Sequence, residues 1–248
     1  MESLKAGNYN YSGDIYQSEF EIILSKLVIC YKMMINDFPT LPRNENEIRN
    51  TLSLNYLRND EMRAKLGLTN YLFDRESMED HSVGRTDIKI QTLKTFIKQD
   101  AYYTIECKLI DNKNTTGPSG LNAKYIANGI CRFTSTYYHT SDEKVNGMIG
   151  FVVAPIDINC NIHHINYLMT TELKNSNSET INANLISGIT KTTFIEDFEY
   201  QYKSEHKLTD ERNISLYHLM FDFSKNMMSW INNSMIVSKF EKEVLRKW

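Results

Sequence analysis

Two acidic residues and one lysine lie in strand-like segments where a charge is costly to bury. Asp87 lies in Arg-Thr-Asp-Ile-Lys-Ile, and Glu106 and Lys108 lie in the apolar and aromatic segment Tyr-Tyr-Thr-Ile-Glu-Cys-Lys-Leu-Ile. Two carboxylates at one point can bind a hard divalent cation such as Mg²⁺, which prefers oxygen ligands. A neighbouring lysine can hold a phosphate or orient a water, and the metal neutralises phosphate charge. These residue types predict the hydrolysis of a phosphodiester.

The two segments that carry these residues are predicted strands, at residues 84–90 and 102–110. Alternation along the second strand places Glu106 and Lys108 on one face and Cys107 on the other. If the strands form a hairpin, Asp87 lies beside the other two charged residues. The alternative interpretation is a solvated strand face or a structural ion pair, because an acid and a base two residues apart are common.

The rest of the chain alternates between helical and strand-like patterns. Apolar periodicity predicts helices at residues 17–38, 45–58, 60–66, 121–138, 157–173 and 226–246. Further strands are predicted at residues 71–74, 147–154, 187–195 and 214–222, and a polar loop at 175–180. Ser204 and His206 fall in a polar stretch that lacks the glycine pattern of a serine hydrolase. The element order predicts one α/β (α+β) domain over residues 1–248, with a central mixed sheet flanked by helices.

Charge is distributed unevenly along the chain, although the formal net charge is only −3. Residues 84–132 hold eight Lys or Arg against four Asp or Glu, whereas the segments on either side are acidic. A local basic region of this kind is what contact with a polyanion requires. The charge pattern therefore predicts binding to DNA or RNA at the same segment that carries the acidic residues.

The composition excludes several classes of protein. With 41% hydrophobic and 24% charged residues, the chain is neither collagen-like nor wholly disordered. It contains no run of about 20 apolar residues, and its first residues are polar, so we predict a cytoplasmic protein that does not bind membranes. Its four cysteines are scattered, which favours small buried side chains over a zinc site or a disulfide framework.

Asp87, followed nineteen residues later by Glu106-Cys107-Lys108, resembles the motif of the PD-(D/E)xK, or restriction-endonuclease-like, nuclease superfamily. Thr86 stands where the name of the motif has proline. The predicted elements over residues 45–154 resemble the core order α-β-β-β-α-β of that family, to which N-terminal helices and the C-terminal segment 155–248 would be added. The helix with Tyr125-Ile126-x-x-Gly129-x-x-Arg132-Phe133 also resembles bacterial members associated with restriction or phage defence.

This resemblance implies a role for each matching residue. Asp87 and Glu106 would ligate Mg²⁺, for which Mn²⁺ can substitute, with the backbone carbonyl of Cys107 as a third ligand. Lys108 would position or activate the attacking water. The preceding helix would bring a further acid, Glu47, to the metal. Contacts to the nucleic acid would come from three basic residues, Lys89, Lys124 and Arg132.

The resemblance implies a metal-dependent DNA endonuclease in bacterial defence or restriction, acting as a homo-oligomer or with a partner of the defence system. Two alternatives stay open at this point. One is a non-catalytic subunit or scaffold that has a nuclease-like fold, and the other is a toxin nuclease directed at RNA. Binding of a divalent metal distinguishes the first alternative, and tests on DNA and RNA substrates distinguish the second.

Overall fold

The chain folds around one large sheet in a computed structural model, which describes residues 11–78, 85–99, 101–135, 137–138, 145–171, 173–174 and 180–227. The α-helices are α1 (Tyr11–Asp37), α2 (Glu45–Leu52), α3 (Asp60–Leu66), α4 (Leu121–Tyr125), α5 (Cys131–Thr134) and α6 (Ile158–Met169). The strands are β1 (Leu72–Met78), β2 (Arg85–Gln91), β3 (Tyr102–Ile110), β4 (Val145–Val152), β5 (Leu173–Lys174), β6 (Thr180–Ile181), β7 (Leu185–Lys191), β8 (Gln201–Lys207) and β9 (Asn213–Asp222).

Seven of these strands form a mixed sheet in the order β1-β2-β3-β4-β9-β8-β7. The central strands β3, β4 and β9 are parallel, and each flank is antiparallel. The predicted mixed sheet flanked by helices is thereby confirmed. Strands β8 and β9 continue the sheet that begins with β1, so the C-terminal part of the described chain completes the same layer. Strands β5 and β6 form a separate antiparallel pair.

The sheet separates two hydrophobic clusters, and alternation along β3 assigns its side chains to them. Ile105 and Cys107 belong to the cluster that contains α1 and α2 residues such as Phe20 and Ile48. Ile110 belongs to the other cluster, with residues of α4, α5 and α6. Even-numbered residues of β3 therefore face the second side, and Glu106 and Lys108 share that face.

Local sequence explains where α2 and α3 begin and end. The side chain of Asn44 caps α2 by accepting a hydrogen bond from Glu47 N, and Asn59 caps α3 in the same way. Gly67 ends α3 with φ of 69°, a left-handed conformation that glycine adopts without strain. The predicted helix 45–58 is helical, but its second half, residues 53–57, forms π-type hydrogen bonds.

The structure corrects several sequence predictions. The polar stretch that contains Ser204 and His206 is strand β8 at the sheet, and a prediction based on apolar alternation missed it. The predicted helix 121–138 ends at Thr134 and contains a π-helical segment at residues 126–130. The predicted strand 187–195 ends at Lys191. Most of the predicted helix 226–246 and of the loop 175–180 lies outside the described residues.

In the part of the chain that the structure describes, no helix combines the length and the apolar character needed to cross a membrane.

A chain of four hydrogen bonds crosses the buried face under α4. Tyr125 Oη bonds His218 Nδ1 at 2.8 Å, and Ser204 Oγ lies 2.7 Å from both His218 Nε2 and His206 Nε2. His206 Nδ1 lies 2.7 Å from the carbonyl oxygen of Ala183, which can only accept. With both imidazoles neutral, this acceptor fixes every proton: each group donates toward Ala183, beginning at Tyr125. These hydrogen bonds connect α4 to β8 and β9.

We expect acid to destabilise the protein through this chain of hydrogen bonds. Burial lowers the pKa of His206 to about 4 and that of His218 to about 3. In the unfolded chain both pKa values are about 6.5, so the unfolded state binds protons first as the pH falls. The free energy of unfolding should fall between about pH 6.5 and pH 4, by about 3 kcal/mol for one histidine.

Urea unfolding measured across this pH range tests the prediction. His218→Gln, which keeps a donor and an acceptor at the position, should show a shallower pH dependence than the wild type. The matched control is His163→Gln, because His163 is exposed on α6. An equal pH dependence in all three proteins would show that titration of His218 does not affect stability.

Candidate active site

The predicted acidic residues meet where β2 and β3 separate. The paired register of the two antiparallel strands ends at Ile88 and Ile105, and Asp87 and Glu106 are the next residues along each strand. Beyond this point the Asp87 carboxylate replaces the backbone of β2, because its Oδ2 accepts a hydrogen bond from Cys107 N at 2.8 Å. The hairpin that the sequence predicts therefore brings Asp87 to Glu106, and an interrupted strand pair leaves room for their side chains.

The Lys108 ammonium lies among oxygen atoms from four residues. Its Nζ is 2.6 Å from Glu106 Oε1, 2.7 Å from the carbonyl oxygen of Cys107 and 3.1 Å from Glu45 Oε1. Asp87 Oδ2 is 3.7 Å away. The second oxygen of Glu45 accepts a hydrogen bond from Leu109 N at 3.1 Å. Three carboxylates and a carbonyl thus stabilise a cation at this point, and here the cation is the lysine itself.

Two arginines and a tyrosine provide further partners for the buried acids. Arg49, on α2 and only 3% exposed, pairs with Asp87 Oδ1. Arg132, on α5, pairs with Glu106 Oε1, and Tyr138 donates its hydroxyl hydrogen to Glu106 Oε2. Glu106 is fully buried, so water cannot stabilise its negative charge, and Lys108, Arg132 and Tyr138 have to do so.

Burial and the neighbouring charges set the pKa values of Glu106 and Lys108. Burial and the neighbouring Asp87 charge raise the pKa of Glu106 to about 7, although Lys108 and Arg132 act in the opposite direction. Burial lowers the pKa of Lys108, but the three carboxylates outweigh it and the net pKa is raised. The ammonium therefore remains protonated at neutral pH, and in this arrangement Lys108 can donate hydrogen bonds but cannot accept a proton.

The acid of α2 that reaches the cluster is Glu45 and not the predicted Glu47. The Glu47 side chain is exposed, and this residue is held through its backbone N–H by Asn44. Glu45 lies three and four residues before the buried Ile48 and Arg49, so it belongs to the inward face of the helix. That periodicity is the sequence signal for Glu45 and Arg49, which are not among the predicted site residues.

A cavity of about 310 Å³ opens beside Lys108 and receives two of the predicted basic residues. It is lined by Glu45, Lys108, Leu109, Leu121, Lys124, Asn128 and Arg132. Lys124 is exposed on α4, whereas Arg132 is half-buried between the cavity and Glu106. Lys89 lies elsewhere, with its Nζ 3.8 Å from the centre of the Tyr102 ring. Three cationic groups and one acid therefore surround this space.

The donor set fits a hard divalent metal in its chemistry. Among the described residues, no three His, Cys, Asp or Glu side chains form a group arranged to hold a metal. Asp87, Glu106 and the Cys107 carbonyl nevertheless offer oxygen ligands around the position of Lys108 Nζ. Mg²⁺ in proteins binds through one or two carboxylates and keeps several waters. The ammonium competes for the same oxygens.

Comparison of the chain with protein-family models, with curated proteins and with solved structures finds no match.

Removing the hydroxyl of Tyr138 tests how firmly Glu106 is held. Tyr138→Phe leaves the buried Glu106 Oε2 without its donor, and it also removes the contacts of the hydroxyl with the Arg85 carbonyl oxygen at 3.0 Å and with Arg132 Nη1 at 3.3 Å. We expect the free energy of unfolding to fall by about 1.5–3 kcal/mol, the range for hydrogen bonds to charged groups. Urea unfolding at pH 8 measures the effect. Tyr137→Phe is the matched neighbour and should change stability little; equal losses in both variants would contradict the assignment.

Proposed function

We propose that this protein is a metal-dependent nuclease that hydrolyses phosphodiester bonds of DNA. The observation that carries the proposal is the convergence of Asp87, Glu106 and Lys108 at the end of the β2–β3 pairing, beside a cavity lined by cationic side chains. Two carboxylates that can hold a metal, a lysine and nearby basic side chains are groups that can support phosphodiester hydrolysis.

Each residue has a distinct role in this proposal. Asp87, Glu106 and the Cys107 carbonyl hold Mg²⁺ or Mn²⁺, which supplies neutralisation of phosphate charge and a more acidic water when bound. Lys108 donates hydrogen bonds that hold a phosphate oxygen or orient the attacking water. Lys124 contacts the backbone of the bound strand from the rim of the cavity. Glu45 holds Lys108 and Leu109 N at the base of the site.

The order of elements supports the same proposal. Helix α2 is followed by the short helix α3, by strands β1 to β3, by the helical segment from α4 to α5 and by strand β4, so that without α3 the order is α-β-β-β-α-β. This order and the Asp87…Glu106-x-Lys108 spacing are both features of the PD-(D/E)xK nucleases. The proposal therefore includes membership of that superfamily. It also includes a role in bacterial defence or restriction, together with a further partner.

A cleavage assay tests the function directly. The wild-type protein is incubated with plasmid, linear and single-stranded DNA and with RNA, in Mg²⁺, in Mn²⁺ and in EDTA. We expect DNA cleavage that needs a metal and that is lost in Asp87→Asn. Asp210→Asn is the control, because Asp210 is an exposed acid that pairs with Arg212. Cleavage in EDTA, or equal activity of Asp87→Asn, would contradict the proposal.

One observation favours a second candidate, a non-catalytic subunit with a nuclease-like fold. The carboxylate oxygens of Asp87 and Glu106 all have protein partners, so these charges can serve as a structural ion-pair network. The two candidates differ in metal binding. Calorimetry that detects no Mg²⁺ or Mn²⁺ binding would favour the non-catalytic subunit, and binding that is lost in Asp87→Asn would favour the nuclease.

A further inference from the structure

Arg132 lies between the buried carboxylate of Glu106 and the cavity beside Lys108. Its Nη1 pairs with Glu106 Oε1 and lies 3.3 Å from Tyr138 Oη. The same side chain is 27% exposed and lines the cavity together with Lys108 and Lys124. Its guanidinium also lies over the ring of Tyr137, 4.7 Å from the centroid. Arg132, like Lys108, therefore links the buried carboxylate of Glu106 to the open cavity.

In its observed position Arg132 opposes metal binding. A metal ion that binds Glu106 through Oε1 would share this oxygen with both Lys108 and Arg132, and their positive charges would repel it. An anion in the cavity would attract the guanidinium, which binds a tetrahedral oxyanion through two N–H groups. The attraction is strongest for a dianion, because Lys108 and Lys124 line the same space.

We propose that a phosphate group in this cavity withdraws Arg132 from Glu106, so that anion binding and metal binding increase each other's affinity. This inference rests on the proposed metal-dependent function, and it adds the regulation of that site. With the cavity empty, the arginine occupies an oxygen that the metal needs, and the metal binds weakly. With a phosphate of the nucleic acid present, the carboxylate becomes available. The site is thus assembled only when substrate and metal are both bound.

Thermodynamic linkage makes the coupling reciprocal. If the anion strengthens metal binding by some factor, the metal must strengthen anion binding by the same factor. Coupling between two sites on one protein is commonly about 5- to 150-fold in affinity. We expect an effect of about fivefold or more here, because the arginine that the anion attracts is the one that pairs with the metal's ligand atom, Glu106 Oε1.

The test measures Mn²⁺ binding to the full chain by the electron paramagnetic resonance signal of free Mn²⁺. Sodium sulfate, a tetrahedral dianion, is compared with sodium chloride at equal ionic strength, and each salt is calibrated without protein. We expect the wild type to bind Mn²⁺ about fivefold or more tightly in sulfate. Arg132→Met should bind Mn²⁺ more tightly than the wild type in chloride and should lose most of the sulfate effect. Arg212→Met, which breaks the remote pair with Asp210, is the matched control and should behave as the wild type.

The outcomes separate the coupling from the function itself. Mn²⁺ binding by the wild type that is equal in sulfate and chloride overturns the coupling and leaves the metal site intact. A sulfate effect that persists unchanged in Arg132→Met overturns the assignment to this arginine. If neither the wild type nor the two variants bind Mn²⁺ in either salt, the metal-dependent function is overturned together with the coupling. The comparison of the two salts uses the wild type alone, so it holds even if Arg132→Met does not fold.

Discussion

Lys108→Met is expected to lower the rate of metal-dependent DNA cleavage by about 10²- to 10³-fold, the usual effect of removing one donor that stabilises transition-state charge. Methionine keeps the unbranched apolar stem of lysine and removes the ammonium. The three carboxylates around the ammonium each lose a partner, but Asp87 retains Arg49, Glu106 retains Arg132 and Glu45 retains the hydrogen bond from Leu109 N. We therefore expect the variant to fold.

The same variant should bind a metal more tightly than the wild type. Its methionine cannot compete for Glu106 Oε1 and the Cys107 carbonyl, which both accept from Lys108 Nζ in the wild type. Cleavage rates and Mn²⁺ calorimetry on one preparation measure both effects. Lys191→Met is the matched control, because Lys191 is an exposed lysine paired with Glu199. Full activity of Lys108→Met, or weaker metal binding, would contradict the role assigned to Lys108.

Arg49→Met should have the largest effect on stability. Arg49 is the buried partner of Asp87 and joins α2 to the end of β2. Removing one member of a buried ion pair leaves the other charge without compensation, at a cost of about 3–5 kcal/mol. We expect a loss at the lower end of this range, about 3 kcal/mol, because Cys107 N and Lys108 remain near the carboxylate.

Urea unfolding measures this loss, and a double-mutant cycle with Asp87→Asn separates the pair from other effects. The double variant should lose less stability than the sum of the two single variants, because neither buried charge remains unpaired. Arg58→Met is the control, since Arg58 is exposed just beyond the same helical segment. Additive losses, or a loss below about 1 kcal/mol for Arg49→Met, would show that the pair contributes little.

The strands that carry the acids were predictable because their pattern is strong and local. Strand β3 lies at residues 102–110 as predicted, since aromatic and β-branched residues, which favour strands, make up most of this segment. The meeting of Asp87 with Glu106 followed from assuming a hairpin between neighbouring strands. The end of the pairing at Ile88 was not predictable, because it depends on the Asp87 carboxylate accepting from Cys107 N.

Some buried residues are polar, and the spacing of apolar residues therefore does not predict their positions. Strand β8 alternates with period two, but Ser204 and His206 are among its buried residues and are polar. Their burial is stabilised by partners on β9 and at Ala183, which are distant in sequence. Tyr138 reaches Glu106 from beyond the end of α5, where helical spacing no longer predicts which side chains face inward.

Two backbone amides in the centre of β3 bond to carboxylates instead of to the backbone of a neighbouring strand. Cys107 N donates to Asp87, and Leu109 N donates to Glu45. Hydrogen bonds to an ionised acceptor are stronger than those to a neutral carbonyl, so the NMR chemical shift of each of these amide protons should depend on its carboxylate. A ligand that captures either carboxylate would move one signal without the other. The fold thus contains two native spectroscopic reporters, one for each acid, that need no added label.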